Sequence, residues 1–398
     1  MNYILFDDSA RKNLLPLTFT RPVADIRIGI FTIREKWEKA LNARTSNFTE
    51  NYLQNKFPLV KGTDNILING SICPNKKLVN EINELRSNQV LVYNSTVVAI
   101  HVPTEAGIDD LDIADLKKYE KIASKQGFLK IDHLWDIFSK NGEAISQDFE
   151  LLTSGRKSQT ISETNKVIGN GSANIFIEEG AKIECSVLNA SAGPVYIGKH
   201  AEIMEGCLVR GPFALCENSV LKMGAKIYGP TTIGSFSKVG GEINNCVILG
   251  YSNKAHDGFL GNSVIGEWCN IGADSNNSNL KNNYSEVKLW NYSSESFEKT
   301  GLQFCGMVMG DHSKCGINTM FNTGTIVGVN TNIFGSGFHH NFIPSFSWGK
   351  PDGLMTYKLS RAIEVAEKVY ERRGMEFNDV EKEILSEIFT LTMRYRKR

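Results

Sequence analysis

Residues 253–284, NKAHDGFLGNSVIGEWCNIGADSNNSNLKNNY, set one imidazole, His256, among cations and carboxamides. An unperturbed imidazole titrates at about 6.5 and can therefore take a proton at neutral pH. Carboxamides such as Asn270 and Asn279 both donate and accept, which suits a ligand rich in hydroxyls. Lys254 and Lys281 lie close by in the chain as candidates for an anionic group. Asp257 adjoins His256, but neighbours on a strand face opposite ways, so it is not assigned as the partner of the imidazole. These residues also have plainer readings. His256 could be a surface-loop histidine, and the asparagines turn residues or a stacked ladder inside a repeat.

The element that must position them is a repeat. Every sixth residue from Ile197 is aliphatic: Ile197, Ile203, Val209, Leu215, Leu221, Ile227, Ile233, Val239. On an α-helix six residues turn the chain by about 600°, so these side chains would build no face. On strands an even spacing returns to one face. A strand of that length does not occur, so the chain must turn regularly. The spacing predicts a parallel β-helix of hexapeptide repeats, with about 18 residues per triangular coil. The phase slips at Asn245, resumes at Phe259, Ile265 and Ile271, and returns at Met309, Cys315, Phe321, Val327 and Ile333. The slips mark bulges or loops, the longest a polar one over 276–305. His256 falls at a slip, where its side chain can leave the packed ladder. Residues 167–184 are expected to form the first coil.

Three regions follow. Residues 1–155 mix strand-like runs (NILING, QVLVYNSTVVAIHV) with helical ones (FTIREKWEKAL, IADLKKYEKIAS) and read as an α/β domain. Residues 156–357 hold the β-helix, entered through the polar linker 153–165. Residues 358–398 read as two helices, the first ended by Gly374 and the second capped by Asn378 or Asp379. They would cover the open end of the coil or clasp a neighbouring subunit. Phe259, Trp268, Trp290 and Phe297 are too many aromatics to leave in water beside a slender coil, which points to burial in an oligomer.

Composition narrows the class. Lys+Arg 44 balances Asp+Glu 44, which argues against a general nucleic-acid or membrane-surface binder. No apolar run approaches the ~20 residues of a membrane span, and the N-terminus carries aspartates where a leader would be basic. The eight cysteines are scattered without a C-x-x-C pair, as expected of reduced core thiols in a cytoplasmic protein. The histidines show no metal-ligand spacing, and the adjacent His339 and His340 would face opposite sides of a strand, so no metal site is assigned.

Residues 253–284 resemble the acetyltransferase half of the bifunctional N-acetylglucosamine-1-phosphate uridylyltransferase / glucosamine-1-phosphate acetyltransferase family. The resemblance rests on a Lys-Ala…His stretch, an aromatic, Leu-Gly, a hexapeptide with Asn-Ile-Gly-Ala and an Asn-rich loop. It covers about 165–340 well and 1–30 in part, as in an alternate, shorter-headed branch. It implies a left-handed β-helix and a nucleotidyltransferase-like head. It places His256 as the catalytic base, Phe259 where the family has a tyrosine, and Asn270 and Asn279 on the sugar. Gly335 falls near a position that contacts the thioester of acetyl-CoA. A family arginine falls on Lys226, and a phosphate-binding lysine falls on Asn244, which leaves Lys254 and Lys281 as candidates for the phosphate.

The opening stretch, FDDSARKNLLPLTFTRPVADIRIG over 6–29, is similar to the family's nucleotide loop in frame, but every loop glycine is replaced. Side chains there obstruct the approach of backbone N–H groups to phosphates. Arg11, Lys12 and Arg21 are the cations that would substitute. Asn69 stands where the family's Asp holds Mg²⁺, and is a weaker ligand. The resemblance thus implies acetyl-CoA-dependent N-acetylation of a hexosamine phosphate, glucosamine-1-phosphate first among them, in a homotrimer. Uridylyl transfer, with UTP and Mg²⁺, follows only if the head is active. The alternatives are an acetyltransferase whose head merely binds, and a non-enzymatic β-helical scaffold.

Overall fold

The computed structural model describes residues 1–109, 111–113, 115–169 and 173–396. The chain divides into two compact units, Met1–Leu14, Thr20–Ile26 and Phe31–His133 in one, and Leu15–Phe19, Arg27–Ile30 and Leu134–Arg398 in the other.

The first unit is an α/β domain on a six-stranded sheet. Its strands are β1 (Asn2–Phe6), β2 (Thr45–Phe48), β3 (Asn65–Asn69), β4 (Gln89–Tyr93), β5 (Thr96–Val102) and β6 (Glu120–Ala123), in the order β2-β1-β3-β5-β4-β6. Strands β1 and β3 carry continuous apolar runs, and both faces of each are buried, as parallel strands require. Helix Ile33–Leu41 begins with a capping box, in which Thr32 and Glu35 each satisfy the other's backbone N–H. The residues IADLKKYEKIAS, expected to be helical, instead end in the edge strand β6, parallel to β4. Leu116 and Tyr119 pack into the core under the sheet, and that burial overrides the local helical preference.

The second unit is the parallel β-helix. Its strands stack into three parallel sheets. The first runs from Ile175–Ile177 to Phe342–Ile343, and the second starts at Lys182–Ile183. The third runs from Lys166–Ile168 to Phe259–Gly261 and is continued by the pair Asn276–Asn277 and Met320–Phe321. Residues 170–172 of the expected first coil lie outside the described residues. The inward ladder of the first sheet reads Ile197, Leu215, Ile233, Ile248, Ile265, Met309, Val327, Ile343 in register. After Val239 the coil shortens, and the inward residue on the third sheet is Leu260, aligned on Ile243. Phe259, placed in the ladder by the six-residue count, therefore faces outward; a shortened corner moves the phase by one residue and so by one face.

The polar loop over 276–305 contains an antiparallel hairpin, Lys288–Asn291 against Ser296–Lys299. The linker at 153–165 is laced onto the first coils: Arg156 forms a two-point ion pair with Glu178, and Gln159 N–H donates to Ile177 O. Helices Leu134–Ser139 and Asn141–Thr153 group with this unit, ahead of the boundary at 155 expected from the sequence. Gly29, with φ +76, lies so close to the second of them that a Cβ would sit 2.3 Å from Asp148 Oδ2. The eight cysteines are unpaired and all but Cys185 are buried.

The aromatics resolve within the chain itself. At one corner of successive coils Phe236, Tyr251, Trp268 and His312 all adopt left-handed backbone conformations. Their rings stack, with Tyr251 and Trp268 centroids 4.3 Å apart. Bulky residues pay for that conformation, and stacking offsets it. The first C-terminal helix, Leu359–Glu371, sets Tyr370 on Trp268 at 3.9 Å. The second, Asp379–Leu391, is capped by Asn378 and lays Phe389 against Phe346 of a late coil. The pair thus covers the flank of the coil as well as reaching its last turns. Trp290 stacks on Phe342 at 4.4 Å. Burial of Trp268 and Trp290 accordingly needs no second subunit, and the aromatic argument for an oligomer lapses for them.

Trp268→Ala should lower stability by about 3–5 kcal/mol in denaturant unfolding and make the segment 359–396 more susceptible to proteolysis. Unchanged stability would refute the stack as the anchor of the helix pair.

Candidate active site

The second sheet decides where the candidate residues go. Its outward row reads Lys238, Asn253, Asn270, Lys314 and Asn332 on successive rungs, each just before an inward residue. His256 follows on the corner after Asn253–Lys254, and is exposed. The first C-terminal helix walls this row, leaving a cleft of about 610 Å³. Lys238, Asn253, His256, Asn270 and Lys314 line one side, and Val369, Arg372 and Arg373 the other. The imidazole of His256 and the carboxamide of Asn270 make no hydrogen bond to a described residue, so both can meet a ligand.

Lys254 takes a different role from the phosphate contact expected of it. It occupies an inward ladder position, aligned on Val239, and is 2% exposed. Its Nζ donates to the carbonyls of His256 (2.5 Å) and Asp257 (2.9 Å). The ammonium thus holds the corner that presents His256. Burial pushes its pKa down from 10.5 to about 8.

Phe259 and Asn279 meet around that corner, on the third sheet. A Cβ on Gly261 would sit 2.5 Å from the Phe259 ring and 2.7 Å from Asn279 Nδ2, so only glycine fits beneath them. Asn279 Nδ2 also donates to Asn262 Oδ1 at 2.8 Å. Phe259 lies three positions beyond His256, so their Cα atoms are within about 11 Å. Lys226 stands two rungs below Phe259 through Glu242, about 9–10 Å away, and pairs with Glu242 at 3.3 Å. Lys281 Nζ donates to Glu286 O at 2.8 Å. Gly335, with φ +101, lies at the corner that follows Asn332–Ile333, two strands beyond Asn270–Ile271 in the second sheet. The chain therefore splits the expected cluster into His256 with Asn270 on one side of the corner and Phe259 with Asn279 on the other.

The residues missed from the sequence are Lys238, Lys314, Arg372 and Arg373. The two lysines were accessible in principle, since each immediately precedes a ladder residue and must face out. The two arginines needed the packing of the helix.

In the head, Arg11 is buried and ion-paired with Asp7 at 2.9 Å, and it also donates to Arg21 O at 3.1 Å and Tyr52 Oη at 3.2 Å. Arg21 is likewise buried, and Lys12 is exposed on the single helical turn Ala10–Asn13. Asn69 is spent. Its Nδ2 donates to Asp8 and Val97 O, both at 2.9 Å, and its Oδ1 accepts from Ser71 N and Oγ. Asp8 also meets Lys130 at 3.2 Å. With both amide atoms satisfied by protein, Asn69 does not fit a Mg²⁺ ligand. No group of three or more His, Cys, Asp or Glu among the described residues is arranged to hold a metal.

Two outcomes follow. Between pH of about 8 and 10.5 the folded chain holds Lys254 neutral while the unfolded chain keeps it charged, so folding gains with rising pH in that window and not below it. Lys254→Met, which keeps the ladder filled, should abolish this gain; urea unfolding of both proteins across that window checks it, and a constant gap between them refutes it. Arg11→Ala should cost about 3–5 kcal/mol in denaturant unfolding, because it strands the buried Asp7 carboxylate; a loss below 1 kcal/mol (roughly that of an exposed pair) would show the ion pair to be dispensable.

Residues 3–157 match the model of the family described as sugar nucleotidyl transferase. The chain is 34% identical over 89 residues to a bifunctional protein GlmU of Methanocaldococcus jannaschii, covering 22% of this chain and 21% of that protein. It is 28% identical over 149 residues to the uncharacterized acetyltransferase YaiX of Escherichia coli, covering 37% of this chain and 64% of that one. A bifunctional protein GlmU of Methanococcus maripaludis aligns over 239 residues at 26% identity, covering 58% of this chain and 50% of that protein. The chain thus spans less than two thirds of the length of each relative. No described helix is long and apolar enough to cross a membrane. Residues 3–157 thus match a sugar nucleotidyl transferase family model, a parallel β-helix follows them, and the chain is similar in sequence to GlmU proteins and to an acetyltransferase.

Proposed function

We propose that this chain transfers the acetyl group of acetyl-CoA to the amine of a hexosamine phosphate, with glucosamine-1-phosphate as the first acceptor to test. The observation that carries the reading is the placement of His256 and Asn270, whose side chains hydrogen-bond to no described residue, in one cleft of a hexapeptide β-helix. Amine acetylation needs an uncharged nucleophile, a thioester and a donor for the developing oxyanion. His256 takes the proton as the amine attacks the carbonyl carbon, and the thiolate of coenzyme A leaves. Asn270 holds sugar hydroxyls, and Phe259 and Asn279 close the other side of the corner. Gly335 leaves room for the thioester arm.

In this reading the head transfers no nucleotidyl group. The self-satisfied network of Asp7, Asp8, Arg11 and Asn69 favours this over uridylyl transfer, since the loop offers neither glycine N–H groups nor an open metal ligand. A homotrimer belongs to the same reading. Ile317, Met320 and Phe338 are exposed at 68%, 37% and 56%, and Met320 and Phe338 lie on neighbouring rungs, giving it an apolar contact face.

The test is thiol release from acetyl-CoA with glucosamine-1-phosphate. His256→Ala should lower turnover by about 10²–10⁴-fold with the unfolding profile unchanged. Equal turnover in wild type and variant would dismiss His256 as the base.

A further inference from the structure

The cleft beside His256 contains more positive charge than proton transfer to an imidazole needs. Lys238 and Lys314 stand three rungs apart on the outward row of the second sheet, about 14 Å, with Asn253 and Asn270 between them. Arg372 and Arg373 face them from the end of the first C-terminal helix. No Asp or Glu is among the residues that line the cleft. None of the four cations is ion-paired to a described residue.

Two of these cations are held by groups that leave their charge intact. Arg373 donates to the carbonyls of Phe236 (2.6 Å) and Tyr251 (3.3 Å), and Lys314 donates to His312 O at 2.9 Å. Carbonyls fix the direction of a cation but do not neutralise it. Burial and the neighbouring Arg372 push the Arg373 pKa down, and burial pushes that of Lys314 down, so an arriving anion would relieve both. A single carboxylate or phosphate would leave cations at one end of the row unmatched. Two linked phosphates, which the long Lys238 and Lys314 side chains can reach from either end of the row, answer more of the four charges, and the volume of about 610 Å³ is that of a small-molecule site.

We propose that the cleft between the second sheet and the first C-terminal helix binds a diphosphate group through Lys238, Lys314, Arg372 and Arg373, and so sets the reacting end of its ligand at His256. This rests on the acetyl-transfer reading for the identity of the reacting end, but not for the diphosphate itself. The donor of that reaction, coenzyme A, carries the chemistry, and so does a nucleotide sugar.

The full chain would be titrated calorimetrically with coenzyme A, UDP-N-acetylglucosamine and inorganic pyrophosphate, with glucosamine-1-phosphate as the monophosphate control. Lys238→Gln/Arg372→Gln is the variant of choice, because both side chains are exposed and neither anchors the fold. Pyrophosphate should compete with the ligand that binds, and the double variant should weaken that ligand by about 10-fold or more. Binding of coenzyme A alone places the acetyl donor in the cleft, and binding of the nucleotide sugar alone makes the cleft a nucleotide-sugar site. Equal affinity of wild type and double variant, or indifference to pyrophosphate, would overturn the proposal. Diphosphate binding without any acetyl transfer would reject the acetyl-transfer reading and leave the diphosphate site standing.

Discussion

A parallel β-helix depends on vertical register: whatever a rung places inward must be matched by the rungs above and below. Aliphatic side chains meet this demand along most of the ladder. At one rung the chain sets a lysine there instead. Lys254 is tolerable only because its ammonium finds the carbonyls of His256 and Asp257 within the same corner. The most costly residue of the ladder and the corner that presents His256 are thus coupled, since the charge that must be satisfied is satisfied by fixing the backbone of that corner.

The same register organises the outside of the coil. Stacking makes columns of like position, and columns concentrate chemistry that the linear sequence disperses. Lys238, Asn253, Asn270 and Lys314 come from four separate repeats and form one row. Phe236, Tyr251 and Trp268 form a second column at the adjoining corner, where the left-handed backbone turns their rings into a stack. The C-terminal helix is fixed by the second column and leans over the first. A strip of surface becomes a cleft through contacts made by a single chain.

The architecture was legible because burial enforces periodicity, and periodicity survives in sequence. The inward residues from Ile197 to Val239 declare the coil, and Asn378 declares the start of the last helix. The failures occur where local rules compete with packing. A shortened corner after Val239 shifts Phe259 off the ladder and puts Leu260 on it. IADLKKYEKIAS carries helical composition, but Leu116 and Tyr119 find better burial beneath the sheet. Lys254 looks like a phosphate ligand because lysines seldom point inward; only the alignment with Val239 reveals that this one does. The family resemblance singled out His256 and Asn270, and the coil does bring both to one cleft; Arg372 and Arg373 could not be singled out, because no local pattern tells which coil a distant helix will lie against.

The head illustrates the opposite use of charge. Where a phosphate-binding loop keeps its backbone N–H groups open for a ligand, this loop closes them with its own side chains. Asp8 accepts from Ala10 N–H, Asp7 accepts from Val23 N–H, and Arg11 answers the Asp7 charge. Each bond that stabilises the loop removes a donor or a cation from any nucleotide. In the β-helix, by contrast, Lys238, Lys314, Arg372 and Arg373 keep their charges unanswered by any described carboxylate, and the cleft they line is open. The cations that no described carboxylate answers thus gather on the coil beside His256, and it is there that the proposed diphosphate site lies.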